Sequence, residues 1–105
     1  MTPQIVIRNA ARRDLVDYYE YLVELSDRST AVRFRSAVDD VLQKLAAMPQ
    51  LGVARQFRNA ELEGTRMWLV PGFREIMIFY RPMDNGIEVL RVVHAKQDYW
   101  RILGR

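Results

Sequence analysis

The chain has 105 residues, half of them hydrophobic, and a formal net charge of +3. That length predicts one domain, residues 1–105, burying roughly 65% of its unfolded surface around one core. The absence of cysteine excludes a disulfide scaffold and Cys-based zinc sites and fits a reducing, cytoplasmic setting. No apolar run approaches the ~18 residues of a membrane span and no signal-peptide pattern opens the chain, so no membrane partner is expected. Residues 1–54 carry seven basic and seven acidic side chains; residues 55–105 carry nine and six, so the whole excess lies in the second half. Most of the cations are arginine, which suits bidentate contacts to carboxylate or phosphate. A charge excess this small fits an acidic protein partner as well as RNA.

Residues 4–8 read as a short first strand. Asn9 is placed to cap the helix that follows. Leu15, Tyr18, Leu22 and Leu25 recur at helical spacing, widened by Tyr19 and Val23, while Asp14, Asp17, Glu20 and Glu24 lie off the stripe and read as solvated. The run Ser26-Asp27-Arg28-Ser29 breaks the pattern and supplies a cap for a second helix bearing Ala31, Phe34, Val38, Leu42 and Leu45. Pro49 ends it, with Gly52 just beyond. Two amphipathic helices on so short a link predict an antiparallel helical hairpin.

Residues 50–64 show no period and read as a loop or weak edge strand. Residues 65–70 form a strand stopped by the turn dipeptide Pro71-Gly72. Two longer strands follow, residues 73–81 and 87–94, joined through Asp84-Asn85-Gly86, a strong hairpin signal. The first places Met77 and Phe79 on one face and Ile76, Ile78 and Tyr80 on the other. Strands apolar on both faces are covered on both faces. The helical hairpin covers one; the second is expected to be an exposed docking surface. Residues 97–103 read as a short closing helix. The predicted fold class is α+β: an N-terminal strand, a helical hairpin packed on an antiparallel sheet with a three-stranded C-terminal meander, and a short C-terminal helix.

The single histidine, His94, ends the last strand. Strict alternation puts it with Glu88, Leu90 and Val92, opposite Arg91 and Val93. It is either a general base or a strand-end residue bonded to the loop after it. Asp39 and Asp40, adjacent on a helix, point apart and are no acid–base pair. Arg66, Arg74, Arg81 and Arg91 lie in or beside the last three strands. With Lys96 and Arg101 they make either an RNA-binding patch or ordinary surface pairs with Glu75, Asp84, Glu88 and Asp98. Arg91 interrupts an apolar strand, so it either has a carboxylate partner or faces a docking groove. Trp68, Phe73, Phe79, Tyr80, Tyr99 and Trp100 interleave with these cations. Such rings stack nucleotides in some proteins and more often sit in cores or protein interfaces. Tyr99 and Trp100 are the pair least suited to burial by the fold itself.

These features together resemble the ParE branch of the ParE/RelE toxin superfamily of bacterial toxin–antitoxin modules. Ala11-Arg12-Arg13-Asp14-Leu15 through Tyr21 is similar to that family's A-x-x-D-L-x-x-I-x-x-Y opening helix. Ala31-Val32-Arg33-Phe34 resembles its second helix, and Leu45 through Gly52 its L-x-x-x-P-x-x-G helix end. Arg66, Phe73, Ile78-Phe79-Tyr80-Arg81 and Arg91-Val92-Val93-His94 follow its strand signatures in order. The tail His94-Ala95-Lys96-Gln97-Asp98 departs from it, with Gln97 where the family usually has arginine. The lysine cluster of RelE-like nucleases is absent before residue 65. The resemblance implies a cytoplasmic toxin neutralised by a cognate antitoxin, acting on DNA gyrase by protein binding, with no catalytic residues, metal, cofactor or direct DNA contact. The surface expected to bind antitoxin or target is Arg66, Trp68, Arg74, Arg81, Arg91, Tyr99 and Trp100. The competing reading is a RelE-like ribosome-dependent endoribonuclease using His94, Lys96, Tyr99, Arg66 and Arg81. A third is a non-toxic member that keeps its antitoxin.

Overall fold

The computed structural model describes residues 2–97 and 102–103. Strand β1 (Gln4–Ile7) leads into helices α1 (Asn9–Leu25) and α2 (Arg28–Ala47). A 3₁₀ turn (Pro49–Leu51), the two-residue strand β2 (Val53–Ala54) and a second 3₁₀ turn (Ala60–Leu62) follow. Strands β3 (Arg66–Val70), β4 (Phe73–Met83) and β5 (Gly86–His94) complete the described fold. The five strands lie in the order β1-β5-β4-β3-β2. The predicted antiparallel sheet is therefore mixed, because β1 runs parallel to β5 in the register Gln4↔Gly86 to Ile7↔Val89. A two-helix crossover separates β1 from the meander, which is the connection length that a parallel neighbour needs.

The helical hairpin forms as the apolar spacing predicts. α2 is the inner helix: Phe34, Val38, Leu42 and Leu45 are all at most 4% exposed. Each such side chain contributes about 1.5–3 kcal/mol by leaving water. Phe34 packs on Tyr18 of α1 and Phe73 of β4, with ring centroids 5.0 and 5.3 Å away. Asp27 caps α2, its carboxylate accepting from the Thr30 N–H at 2.7 Å. Asn9 does not cap α1; it is the first helical residue, and Arg8 precedes it in extended conformation without a side-chain cap. Gly72 turns between β3 and β4 at φ +81°. Gly86 has a second duty, because a Cβ there would overlap the Gln4 carbonyl of β1. Only glycine lets the parallel strand approach.

Ile76, Ile78 and Tyr80 face the helices, and Met77 and Phe79 face away, as alternation predicts. The second face is not an exposed docking surface. Met77, Phe79, Leu90 and Val93 are each at most 7% exposed. Phe57, Leu62, Ile102 and Leu103 pack over them. The aperiodic segment 50–64 is thus a cover, with Leu62 as its anchor. Apolar side chains are exposed instead on the outer helix, at Val16, Tyr21 and Leu25. In β5 the register shifts, since Tyr80 pairs with Val89 but Phe79 with Arg91. This bulge reverses the alternation beyond it. Leu90 and Val93 therefore share the outer face while Val92 packs beneath the helices, which corrects the grouping of Leu90 with Val92. Most of the predicted closing helix, with Asp98, Tyr99, Trp100 and Arg101, lies outside the described residues.

Candidate functional site

Arg91 has its carboxylate partner within the chain. Its Nε and Nη2 donate to Asp14 Oδ2 and Oδ1 at 2.7 and 2.9 Å, a bidentate pair. Asp14, expected in solvent, is half-buried, and its Oδ2 also accepts from the Val92 N–H at 2.9 Å. The reason is topological. β1 covers β5 only as far as Val89, where the Arg8 N–H reaches the Val89 carbonyl. Beyond that point side chains satisfy the edge. Asp14 takes the Val92 N–H, and Gln97 Oε1 takes the His94 N–H at 2.9 Å. An edge whose donors are already capped does not invite another strand.

His94 is likewise committed. The Lys96 N–H donates to Nδ1 at 3.0 Å, so the ring proton sits on Nε2, 2.9 Å from Glu75 Oε2. The ring lies against Tyr18, with centroids 5.9 Å apart. This is the strand-end reading of the residue, bonded to the loop after it.

Arg81 and Glu88 join three parts of the chain. Glu88 accepts from Arg81 Nη2 at 2.8 Å and from Arg8 Nε at 2.9 Å, while Arg81 Nη1 reaches the Glu61 carbonyl in the covering loop. The guanidinium of Arg81, then that of Arg8, holds the Glu88 carboxyl below its ordinary range. A carboxyl depressed on folding adds stability above its unfolded pKa and loses it as pH falls through the folded value. Glu88→Gln is therefore expected to cost about 1–2 kcal/mol at neutral pH, discounted for the half-exposed Arg8, and to flatten stability against pH in the acid limb. Urea midpoints at pH 7 and across the acid range check this; parallel wild-type and variant curves would refute it.

Arg66 lies on the opposite face. Its Nη1 donates to the Gly52 carbonyl at 2.6 Å and the Gln50 carbonyl at 3.1 Å. Tyr80, fully buried beside it, accepts from the Gly52 N–H and donates to the Pro49 carbonyl, both at 2.8 Å. The L-x-x-x-P-x-x-G helix end is thus pinned to the sheet by one tyrosine and one arginine.

Trp68 and Arg74 share a groove of about 560 Å³ at the β3 edge, lined also by Leu69, Val70 and Val53. Among the described residues β2 covers only Arg66 and Met67 of β3, leaving the rest of that edge open. Lys44 Nζ sits 5.5 Å from the Trp68 ring centroid, a cation–π distance. Trp68 and Arg74 are thus brought together, while Arg91 stands apart on the α1 side. Arg66 and Arg81 sit on opposite faces of the sheet. Arg66 pairs with Tyr80 and His94 with Ile76, four residues along β4, or about 13 Å at strand rise. His94 and Lys96 are therefore at the other end of the sheet from Arg66 and Arg81. Tyr99 and Trp100 lie outside the described residues. Among the described residues no group of acidic or histidine side chains could hold a metal ion. Among the described residues no helix is long and apolar enough to cross a membrane.

Asp14, Tyr80, Gly52, Glu88 and Gln97 were not among the nominated residues. Asp14, Tyr80 and Gly52 each stand within a motif that carries the family resemblance, and that is the sequence signal for them. The hairpin laid on a mixed sheet with β1 beside β5 defines a small α+β fold. The family model described as the ParE toxin of the type II toxin-antitoxin system parDE matches residues 5–99, and the chain belongs to that family. Among solved structures it is similar to the chromosomal ParDE toxin-antitoxin system from P. aeruginosa, with TM-score 0.69 and 18% identity over 89% of this chain and 96% of that one. It is also similar to the YoeB-YefM complex from Staphylococcus aureus, with TM-score 0.54 and 14% identity over 90% of this chain and 98% of that one. At these identities the likeness is one of fold. No curated protein sequence matches.

Proposed function

We propose that this toxin acts in the cytoplasm by binding a protein target, DNA gyrase, and that a cognate antitoxin neutralises it. Membership of the ParE family across residues 5–99 carries this reading. The division of the nuclease candidates supports it. Metal-free RNA cleavage needs a base, a proton donor and cations around one phosphate. Here Arg66 and Arg81 serve backbone carbonyls on opposite faces, and both His94 ring nitrogens are engaged.

The antitoxin has a fitting place at the open β3 edge. An extended segment there gains main-chain bonds from the uncovered strand and an apolar floor beside Trp68. Lys44 and Arg74 at this groove suit an acidic partner. The test is purified toxin in a gyrase supercoiling assay and, separately, a ribosome-programmed RNA cleavage assay. Loss of supercoiling without cuts, reversed by antitoxin, is expected. Trp68→Ala combined with Arg74→Glu should weaken antitoxin binding at least about tenfold, as loss of an aromatic anchor does. Codon-positioned cuts with normal supercoiling would move the chain to the nuclease reading.

A further inference from the structure

We propose that the groove between the end of α1 and the β4–β5 end is a docking site for a basic, arginine-bearing segment of a partner protein, distinct from the segment at the β3 edge. It is a cleft of about 560 Å³ with Leu22, Ile76 and Val92 in its floor and Tyr18, Tyr21 and Leu25 along one wall. Leu25 is 70% and Tyr21 48% exposed, unusual for large apolar side chains side by side on one helix face. The tyrosine rings are tilted at 35°, with centroids 5.6 Å apart, and Tyr21 offers its ring to solvent.

Charge decides the occupant. The chain is basic, yet this cleft carries Asp17 and Glu75 at its rim, with Lys96 as the one lysine or arginine lining it among the described residues. Asp14 is already neutralised by Arg91. Glu24 stands in the last turn of α1, which holds no basic residue of its own to offset the partial negative charge of the helix end. The Tyr18 hydroxyl pKa is raised by burial first and then by Tyr21 and Glu75, consistent with negative potential in the cleft. A guanidinium suits such a place: it stacks on a tyrosine face while its edge pairs with a carboxylate. An apolar residue beside that arginine would cover Leu25. The β3-edge groove has the opposite sign, with Lys44 and Arg74, so one segment does not suit both.

The test uses the full chain, ¹⁵N-labelled, titrated with N-acetyl-Arg-Leu-amide and with the citrulline analogue, which keeps the shape and loses the charge. Saturable shifts confined to the last two turns of α1 and to Glu75–Ile76 are expected, with the citrulline peptide weaker by about fivefold, as befits one stacked and paired guanidinium. Asp17→Asn and Glu75→Gln, checked for an unchanged spectrum elsewhere, should each weaken the arginine peptide. Equal binding of both peptides, shifts centred on the β3 edge, or no saturation would each overturn the proposal. So would sedimentation showing that the cleft is filled by a second copy of the chain.

Discussion

Arg91→Met is expected to lower stability by about 2–4 kcal/mol, because it strands a half-buried carboxylate. Asp14 and Arg91 side chains are 16% and 29% exposed, so water recovers only part of the lost interaction. Asp14→Ala should cost as much or more, since it also releases the Val92 N–H at an otherwise uncovered edge. The two losses should not add. In the double variant no charge is left unpaired, so its cost should fall short of the sum by at least about 1 kcal/mol. Urea unfolding of the four proteins at neutral pH measures the cycle. A change within about 0.5 kcal/mol for Arg91→Met would show that the pair does not hold β5 to α1.

That pair also shows where sequence reasoning succeeds and where it stops. A charge inside an apolar strand announces that it needs a partner, and Arg91 has one. Which carboxylate supplies it depends on β1 ending at Val89, a long-range fact that no local pattern carries. Asp14 read as solvated because it lies off the helical stripe, and helical periodicity records only which face meets the main core. The helices, the hairpin turn and the faces of β4 were legible because each is a local pattern of spacing and turn chemistry. The parallel placement of β1 was not, since a four-residue strand, three of its residues apolar, pairs equally well in either direction. The bulge at Leu90 was not legible either, because a register shift leaves no mark in composition. Nor was the cover on the second face. Phe57 and Leu62 lie in a segment without period, and their task appears only once Met77 and Phe79 need burying.

The edges of the sheet now have distinct characters. On the β5 side the donors of Val92 and His94 are capped by Asp14 and Gln97; the Gln97 amide oxygen accepts, as a guanidinium cannot. On the β3 side a two-residue strand leaves the edge mostly bare beside Trp68. The bare edge and the proposed arginine cleft share only the start of β4, where Arg74 lines the first and Glu75 the second, and they carry opposite charge.

Gly52→Ala is expected to be among the most damaging small substitutions in the chain. The backbone there is ordinary, at φ −68° and ψ 159°, so alanine meets no conformational barrier. The obstacle is Tyr80: an added Cβ would overlap its hydroxyl and lie 2.6 Å from its Cε1. Tyr80 is fully buried and cannot move without losing its bonds to the Gly52 N–H and the Pro49 carbonyl. Overpacking costs about 1–3 kcal/mol, and each buried polar group left without its partner about 1–3 kcal/mol more. With one such group lost, a total of about 2–6 kcal/mol follows from these two terms. Tyr80→Phe removes the hydroxyl alone and should cost about 1–2 kcal/mol by orphaning the same two backbone groups. In the Tyr80→Phe background alanine at 52 should cost less than in the wild type, because the overlap with the hydroxyl and the loss of its bonds have already been removed. Thermal unfolding of the four proteins reads this directly. Equal costs of Gly52→Ala in both backgrounds would mean that the tyrosine hydroxyl does not set the requirement for glycine.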